Sequence, residues 1–418
     1  MKHLIHTPEG VRDIFGAECD KKRYLERRIE KLFRSYGYQS IETPTFEFID
    51  VFRTEIGTAP SNELYKFFDR AGNTLVLRPD FTPSIARAAA MYFQDENMPL
   101  RFCYRGSVFN NSVRYRGQLK ESTQMGVELL NEDNAETDAE IIALMVSVMK
   151  RAGLHEYQIS VGEAGYFNAL VEEAQMSRED SEELRQLLMI RNRFGAEELI
   201  ERLSLSGKVK DALLALPDLF GEEDVLERAA EITDNPKARA AVERMKRMYK
   251  ILGEYECRDS ISFDFSMVSA YGYYTGIIAQ GYTYGTGDAV IKGGRYDRML
   301  ESFGKKAPAV GFVTEIDALL NAIERQGIRL PVDDIKTMIL YSPGQGSKAI
   351  RLTHLLRSGG NDVACIGFRE DKTPQDYVNY GKRNQFARIL WFRTGQEVCE
   401  IDMKTGAVSQ TDANRYLD

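Results

Sequence analysis

Between about residues 177 and 256 the chain changes texture. Leu, Glu, Arg and Ala dominate there, and prolines interrupt only at Pro217 and Pro236. Such a block folds as several consecutive helices. Strand-like, aromatic-rich sequence resumes at Ser262 and runs through Gly287, so the block is an insertion. Whatever core this chain builds is therefore assembled from two separated parts of the sequence.

The part before the insertion alternates helix and strand signals. Residues 21–36 carry Tyr24, Leu25, Ile29, Leu32 and Phe33 among charges, an amphipathic helix pattern, with Gly37 placed as its stop. Residues 63–68 and 74–77 read as a hairpin around Asp69-Arg70-Ala71-Gly72-Asn73. Residues 101–109 and 123–130 read as strands and 137–151 as a helix. After a linker at 323–331, residues 336–418 form a smaller α/β unit closing on a hairpin at Lys404-Thr405-Gly406. The expected domains are thus a core over 1–325, with the helical insertion at about 177–256, and a C-terminal α/β domain over 333–418.

Composition narrows the class. A chain of 418 residues with 43% hydrophobic and 28% charged residues is long enough for two or three domains with sizeable cores. No apolar run approaches the ~18 residues of a membrane span, and the N-terminus lacks the apolar stretch of a secretory signal. Five scattered cysteines, never paired as CxxC, argue against a disulfide framework or a zinc site and favour a reducing cytoplasm. A net charge of −8 disfavours bulk polyanion binding.

Walker, HExxH, GxSxG and GxGxxG motifs are missing, and the four histidines show no ligand spacing. Four clusters stand out instead. Arg78-Pro79-Asp80-Phe81-Thr82-Pro83 is either a helix start, with Thr82 as N-cap and Pro83 at the first helical position, or a carboxylate and hydroxyl placed to receive an ammonium group. Alternation puts Gln124, Gly126 and Glu128 on one face of a strand. That face is either the solvated side of an edge strand or the lining of a small-molecule pocket. Tyr271-Gly272-Tyr273-Tyr274-Thr275-Gly276 and Gly293-Gly294-Arg295-Tyr296-Asp297 read as aromatic packing and a turn, or as places where backbone approaches a ligand.

Taken in order, these clusters resemble histidyl-tRNA synthetases. So do Thr7-Pro8-Glu9-Gly10-Val11-Arg12-Asp13 at the start and Pro308-Ala309-Val310-Gly311-Phe312 near the end, and the likeness covers residues 5–325. The resemblance implies an α+β fold: a class II aminoacyl-tRNA synthetase core, an antiparallel sheet flanked by helices, that forms dimers. The tail resembles the anticodon-binding domain.

The departures from that family fall where ATP binds. Its motif 2, Phe-Arg-x-Glu, is here Phe109-Asn110-Asn111-Ser112, and a later loop arginine is matched by Gln118. The motif 3 arginine is matched by Ala318, and the arginine of Arg-Gly-Leu-Asp-Tyr-Tyr by Ser269. Guanidinium forks suit phosphates, and neutral side chains do not replace their charge. By contrast Asp80, Thr82, Gln124, Glu128, Tyr273 and Tyr274 match the family's histidine-recognising positions.

A synthetase frame without its ATP chemistry but with a histidine-like pocket resembles a second family, the regulatory subunits of bacterial ATP phosphoribosyltransferase. That resemblance implies a non-catalytic subunit with no cofactor and no metal. Its implied partners are a short catalytic subunit, histidine as effector and a second copy of itself, with no nucleic acid or membrane. A divergent histidyl-tRNA synthetase is the enzymatic alternative. An RNA-binding module on the same frame is the other, although residues 336–418 hold only 12 Lys+Arg against 9 Asp+Glu.

Overall fold

The apolar stripe of the first helix is realised in Gly16–Ser35, which buries Leu25, Ile29, Leu32 and Phe33. Gly37 follows it at φ +80°, a left-handed turn that glycine adopts without steric cost. The computed structural model describes residues 5–52, 60–111, 119–268, 273–332, 336–394 and 397–412. The chain divides into two compact units, Met1–Asp13 with Lys22–Arg329 and Ile14–Lys21 with Leu330–Asp418.

In the larger unit nine described strands form one sheet. Their order is Gln39–Ser40, Leu100–Phe109, Glu121–Leu130, Ala309–Glu315, Ile291–Arg295, Ile277–Thr283, Tyr157–Glu163, Ile261–Asp264 and Phe220–Gly221. The pairings are antiparallel except at Gln39–Ser40 with Leu100–Phe109 and at Tyr157–Glu163 with Ile261–Asp264. The expected antiparallel sheet is therefore mixed toward its margins. Strands from before and after the insertion are interleaved in it, three from before, then three from after, then Tyr157–Glu163 beside Ile261–Asp264, so neither part of the chain builds the sheet alone.

Glu121–Leu130 pairs with Leu100–Phe109 on one side and Ala309–Glu315 on the other. Being interior, it buries Gln124 and Glu128, which excludes the solvated-edge reading. Helix Ala135–Arg151 is capped by Asn134, whose side chain accepts the Thr137 N–H at 2.8 Å. Its first turn carries Asp138, 0% exposed, which accepts from Arg295 at 2.7 Å and from Arg244 of helix Pro236–Glu254 at 2.6 Å.

The insertion comprises helices Arg178–Met189, Arg193–Arg202, Gly207–Ala215, Asp224–Glu231 and Pro236–Glu254. Ser177 caps the first, accepting the Asp180 N–H at 3.0 Å, and Pro236 starts the last behind the cap Asn235. Composition gave no hint of the short strand Phe220–Gly221 inside this block, which pairs with Ile261–Asp264.

A separate three-stranded sheet, Phe46–Phe48, Thr74–Leu77 and Lys66–Phe68, contains the expected hairpin. The smaller unit has a five-stranded sheet in the order Asp362–Gly367, Lys336–Tyr341, Arg388–Phe392, Glu397–Asp402 and Val408–Asp412. Its first three strands are parallel and the closing hairpin antiparallel. Helices Gly346–Ser358 and Pro374–Arg383 supply the crossovers. No helix among the described residues is long and apolar enough to cross a membrane.

Candidate functional site

The register of the large sheet stacks the sequence clusters into rows. Gly294 lies beside Gly311, and Gly311 beside Glu128. Two residues along, Lys292, Val313 and Gly126 form the next row; beyond it Glu315 pairs with Gln124. Alternation turns all of these toward one face.

The glycines are there for room. A Cβ on Gly311 would overlap the Glu128 carboxylate, and one on Gly294 would stand 2.7 Å from the Tyr274 ring. Their bareness opens a recess lined by Asp80, Thr82, Glu128, Tyr273, Tyr274, Lys292, Tyr296 and the glycine backbone. It holds about 290 Å³ of empty space, its mouth included.

The Asp80 loop is anchored from beneath. Arg78, 7% exposed, donates to the carbonyls of Ser107 and Thr43, each at 2.8 Å, and stacks over Phe81 with its guanidinium carbon 4.1 Å from the ring centre. Asp80 Oδ1 accepts the Phe81 N–H at 2.7 Å. Thr82 does not cap the helix that follows. The helix spans Thr82–Tyr92 and makes no side-chain cap bond; the Thr82 hydroxyl instead donates to Glu128 Oε1 at 2.7 Å. A cap would spend this hydroxyl on backbone, whereas here it orients the buried carboxyl.

Glu128 is the electrostatic centre. It is 1% exposed, and burial pushes its carboxyl up to about 8, against the opposing hydrogen bonds from Tyr296 and Thr82. The Asp80 charge adds to the rise. Burial also raises Tyr273, Tyr274 and Tyr296, which keeps their phenols protonated as donors. A cation entering the recess meets two carboxyls and a set of tyrosine rings and hydroxyls, an arrangement suited to ammonium or imidazole groups.

Five of the six expected site residues line the recess: Asp80, Thr82, Glu128, Tyr273 and Tyr274. Gln124 is not among the lining residues; its amide donates to Glu315 Oε1 at 2.6 Å. Tyr296, Lys292 and Glu315 were not anticipated. Tyr296 sat inside a glycine-rich motif already noted, but only strand register brings it onto Glu128. Of the positions read as lost arginines, Asn110 ends the Leu100–Phe109 strand with its N–H on the Lys120 carbonyl at 2.9 Å. Ala318 is half-buried in helix Ile316–Arg325. Ser112, Gln118 and Ser269 lie outside the described residues, as do Tyr271 and Gly272. No cluster of metal-ligating side chains occurs among the described residues.

Sheet order, insertion and recess together place the chain among proteins of the histidyl-tRNA synthetase fold, and the histidyl-tRNA synthetase family model matches residues 10–319. A histidyl-tRNA synthetase from a Nostoc species superposes with a TM-score of 0.82 over 99% of this chain and 98% of that one, at 17% identity, a likeness of fold alone. Nearer relatives narrow the assignment. The ATP phosphoribosyltransferase regulatory subunit of Acetivibrio thermocellus is 39% identical over 99% of this chain and 98% of its own. That of Ruminiclostridium cellulolyticum is 35% identical over 99% and 98%. A Bacillus halodurans structure described as an ATP phosphoribosyltransferase regulatory subunit/histidyl-tRNA synthetase superposes with a TM-score of 0.84 at 30% identity, covering 94% of this chain and 100% of that one. This chain belongs to the family of ATP phosphoribosyltransferase regulatory subunits.

Proposed function

We propose that this protein is the non-catalytic regulatory subunit of an ATP phosphoribosyltransferase. In this reading it binds a short catalytic subunit, is required for that subunit's activity and carries feedback inhibition by histidine, in the first step of histidine biosynthesis in the cytoplasm. The observation that carries the reading is the asymmetry of the site. A recess lined by carboxyls and tyrosines persists, while two positions of the arginines that handle ATP in synthetases are Asn110 and Ala318. Losing one transition-state donor lowers a rate by about 10²–10³, so losing several abolishes adenylation.

Histidine occupies the recess with its ammonium and imidazole groups directed to Asp80 and Glu128. Occupancy then biases the hetero-oligomer between active and inhibited states, and the coupling is reciprocal. Self-association as a dimer has a physical basis in an exposed aromatic face: Phe46 and Phe48 are 52% and 54% exposed, with Phe67 in edge contact with Phe46.

The test is reconstitution with the short catalytic subunit. The complex should transfer phosphoribosyl groups and be inhibited by histidine. The Asp80→Ala complex should keep its transfer rate but need roughly 10–100-fold more histidine for half inhibition, the value of a lost charge-assisted hydrogen bond. Wild-type feedback in that variant, or histidine-dependent pyrophosphate exchange by the chain alone, would sink the reading.

A further inference from the structure

The recess contains one feature that attraction of cations does not use. Among its described lining residues Lys292 is the single cation. It sits on the Ile291–Arg295 strand, exposed, between the buried Ile291 and Gly293. Its side chain makes no hydrogen bond and no ion pair with a described residue. The Glu315 carboxyl feels its charge, which opposes the rise that burial causes there, but bonds Gln124 and Ser122 instead.

Register fixes where Lys292 points. Gly294, two residues on, faces the Tyr274 ring, so Lys292 shares that face. Its row, with Val313 and Gly126, is displaced from the Glu128–Gly311–Gly294 row by about 7 Å, two residues along an antiparallel strand. The recess thus carries two carboxyls at one end, Asp80 and the proton-holding Glu128, and an ammonium at its rim. Two carboxyls and one ammonium complement a small molecule with two basic groups and one acid group, and the separation of the rows matches the span of one amino acid.

We infer that Lys292 reads the ligand's carboxylate, so that the site accepts an α-amino acid with a free carboxylate and rejects its amide or ester. This deepens the proposed function and rests on it. Glu128 and Asp80 select for basic groups, and Lys292 separates the free amino acid from uncharged derivatives of the same side chain. Because Lys292 is exposed, its substitution leaves the core untouched.

Titration calorimetry of the full chain with L-histidine and L-histidinamide at low salt tests this. The unaltered chain should bind histidine about tenfold or more tighter than the amide, a preference that shrinks as salt screens the rim. Lys292→Gln should weaken histidine to the level of the amide and leave the amide unchanged. Lys292→Arg should keep the preference and Lys292→Glu reverse it. Equal affinities in the unaltered chain, or an unchanged ratio in Lys292→Gln, overturn the role of Lys292 while histidine recognition stands. No binding of histidine by the unaltered chain removes both readings.

Discussion

At the scale of the residue, Glu128 concentrates the physics of the site. Its folded carboxyl lies near 8 against an ordinary 4.5, raised by burial. In the folded state it therefore keeps a proton that the unfolded chain has already released. The stability this confers is complete below pH 4.5 and declines as pH rises toward 8, by up to about 1.4 kcal/mol per pH unit. Glu163, buried and also raised to about 8 by desolvation, adds a decline of the same sign. Glu128→Gln resembles the neutral acid and removes one of the two. Melting curves from pH 5 to 8 should therefore show the variant gaining on the parent as pH increases; a constant gap would show that Glu128 ionises freely in the fold. Asp80, Glu128 and the tyrosine pair were marked in the sequence only through the resemblance of their motifs, taken in order, to the synthetases, since each motif alone also reads as a helix start, a solvated strand edge or aromatic packing. Tyr296 and Lys292 were not, since the role of Tyr296 arises from a partner 168 residues distant in sequence and that of Lys292 from a shared strand face. Thr82 was readable as a helix-entry hydroxyl, but its acceptor lies on another strand.

At the scale of elements, the decisive contact is the carboxylate of Asp138. It joins the first turn of helix Ala135–Arg151 to Arg295 of the glycine-rich strand and to Arg244 of the last insertion helix. Arg295 is 1% exposed, with further bonds to the Glu132 carbonyl and Asp297 at 2.9 and 3.1 Å. Removing Asp138 strands a buried guanidinium, an effect of roughly 3–5 kcal/mol. Asn134→Ala, four residues earlier, removes the cap on Thr137 and the Asn134 amide's hydrogen bond to Glu132 at 2.7 Å, an effect of about 1–2 kcal/mol. Denaturant unfolding of the two variants should show that ordering, and equal losses would mean the ion pairs contribute no more than the cap. Helices and their stops were visible from periodicity and capping residues, because those signals are local. The central position of Glu121–Leu130 was not, because its second partner, Ala309–Glu315, comes after the insertion. The alternation that marks an interior polar row also marks a solvated edge, and only the sheet order separates them.

At the scale of the molecule, the acidic balance of 63 Asp+Glu over 55 Lys+Arg gains an address. Asn110 and Ala318 stand where the resemblance to the synthetases implies arginine, and Asp80 and Glu128 line the recess. The surface has its own signal in the small sheet. Val76, 0% exposed, faces inward with Val51, Phe52 and Leu64, and the opposite face carries Phe46, Phe48 and Phe67 over Leu75. Three phenylalanines on one short sheet face, 36–54% exposed, are left open to water in a single copy. In the proposed dimer a second copy of the chain would cover this face, and closed twofold contacts are the commonest symmetric solution. Phe48→Glu places a charge in that face and leaves the inward side, with Val76, unaltered. Sedimentation should then show the parent as a dimer and the variant as a monomer, with far-UV circular dichroism unchanged. A variant that sediments with the parent would place the dimer contact elsewhere. A monomer that still binds histidine would separate the recess from the interface, since no residue of the aromatic face lines the recess.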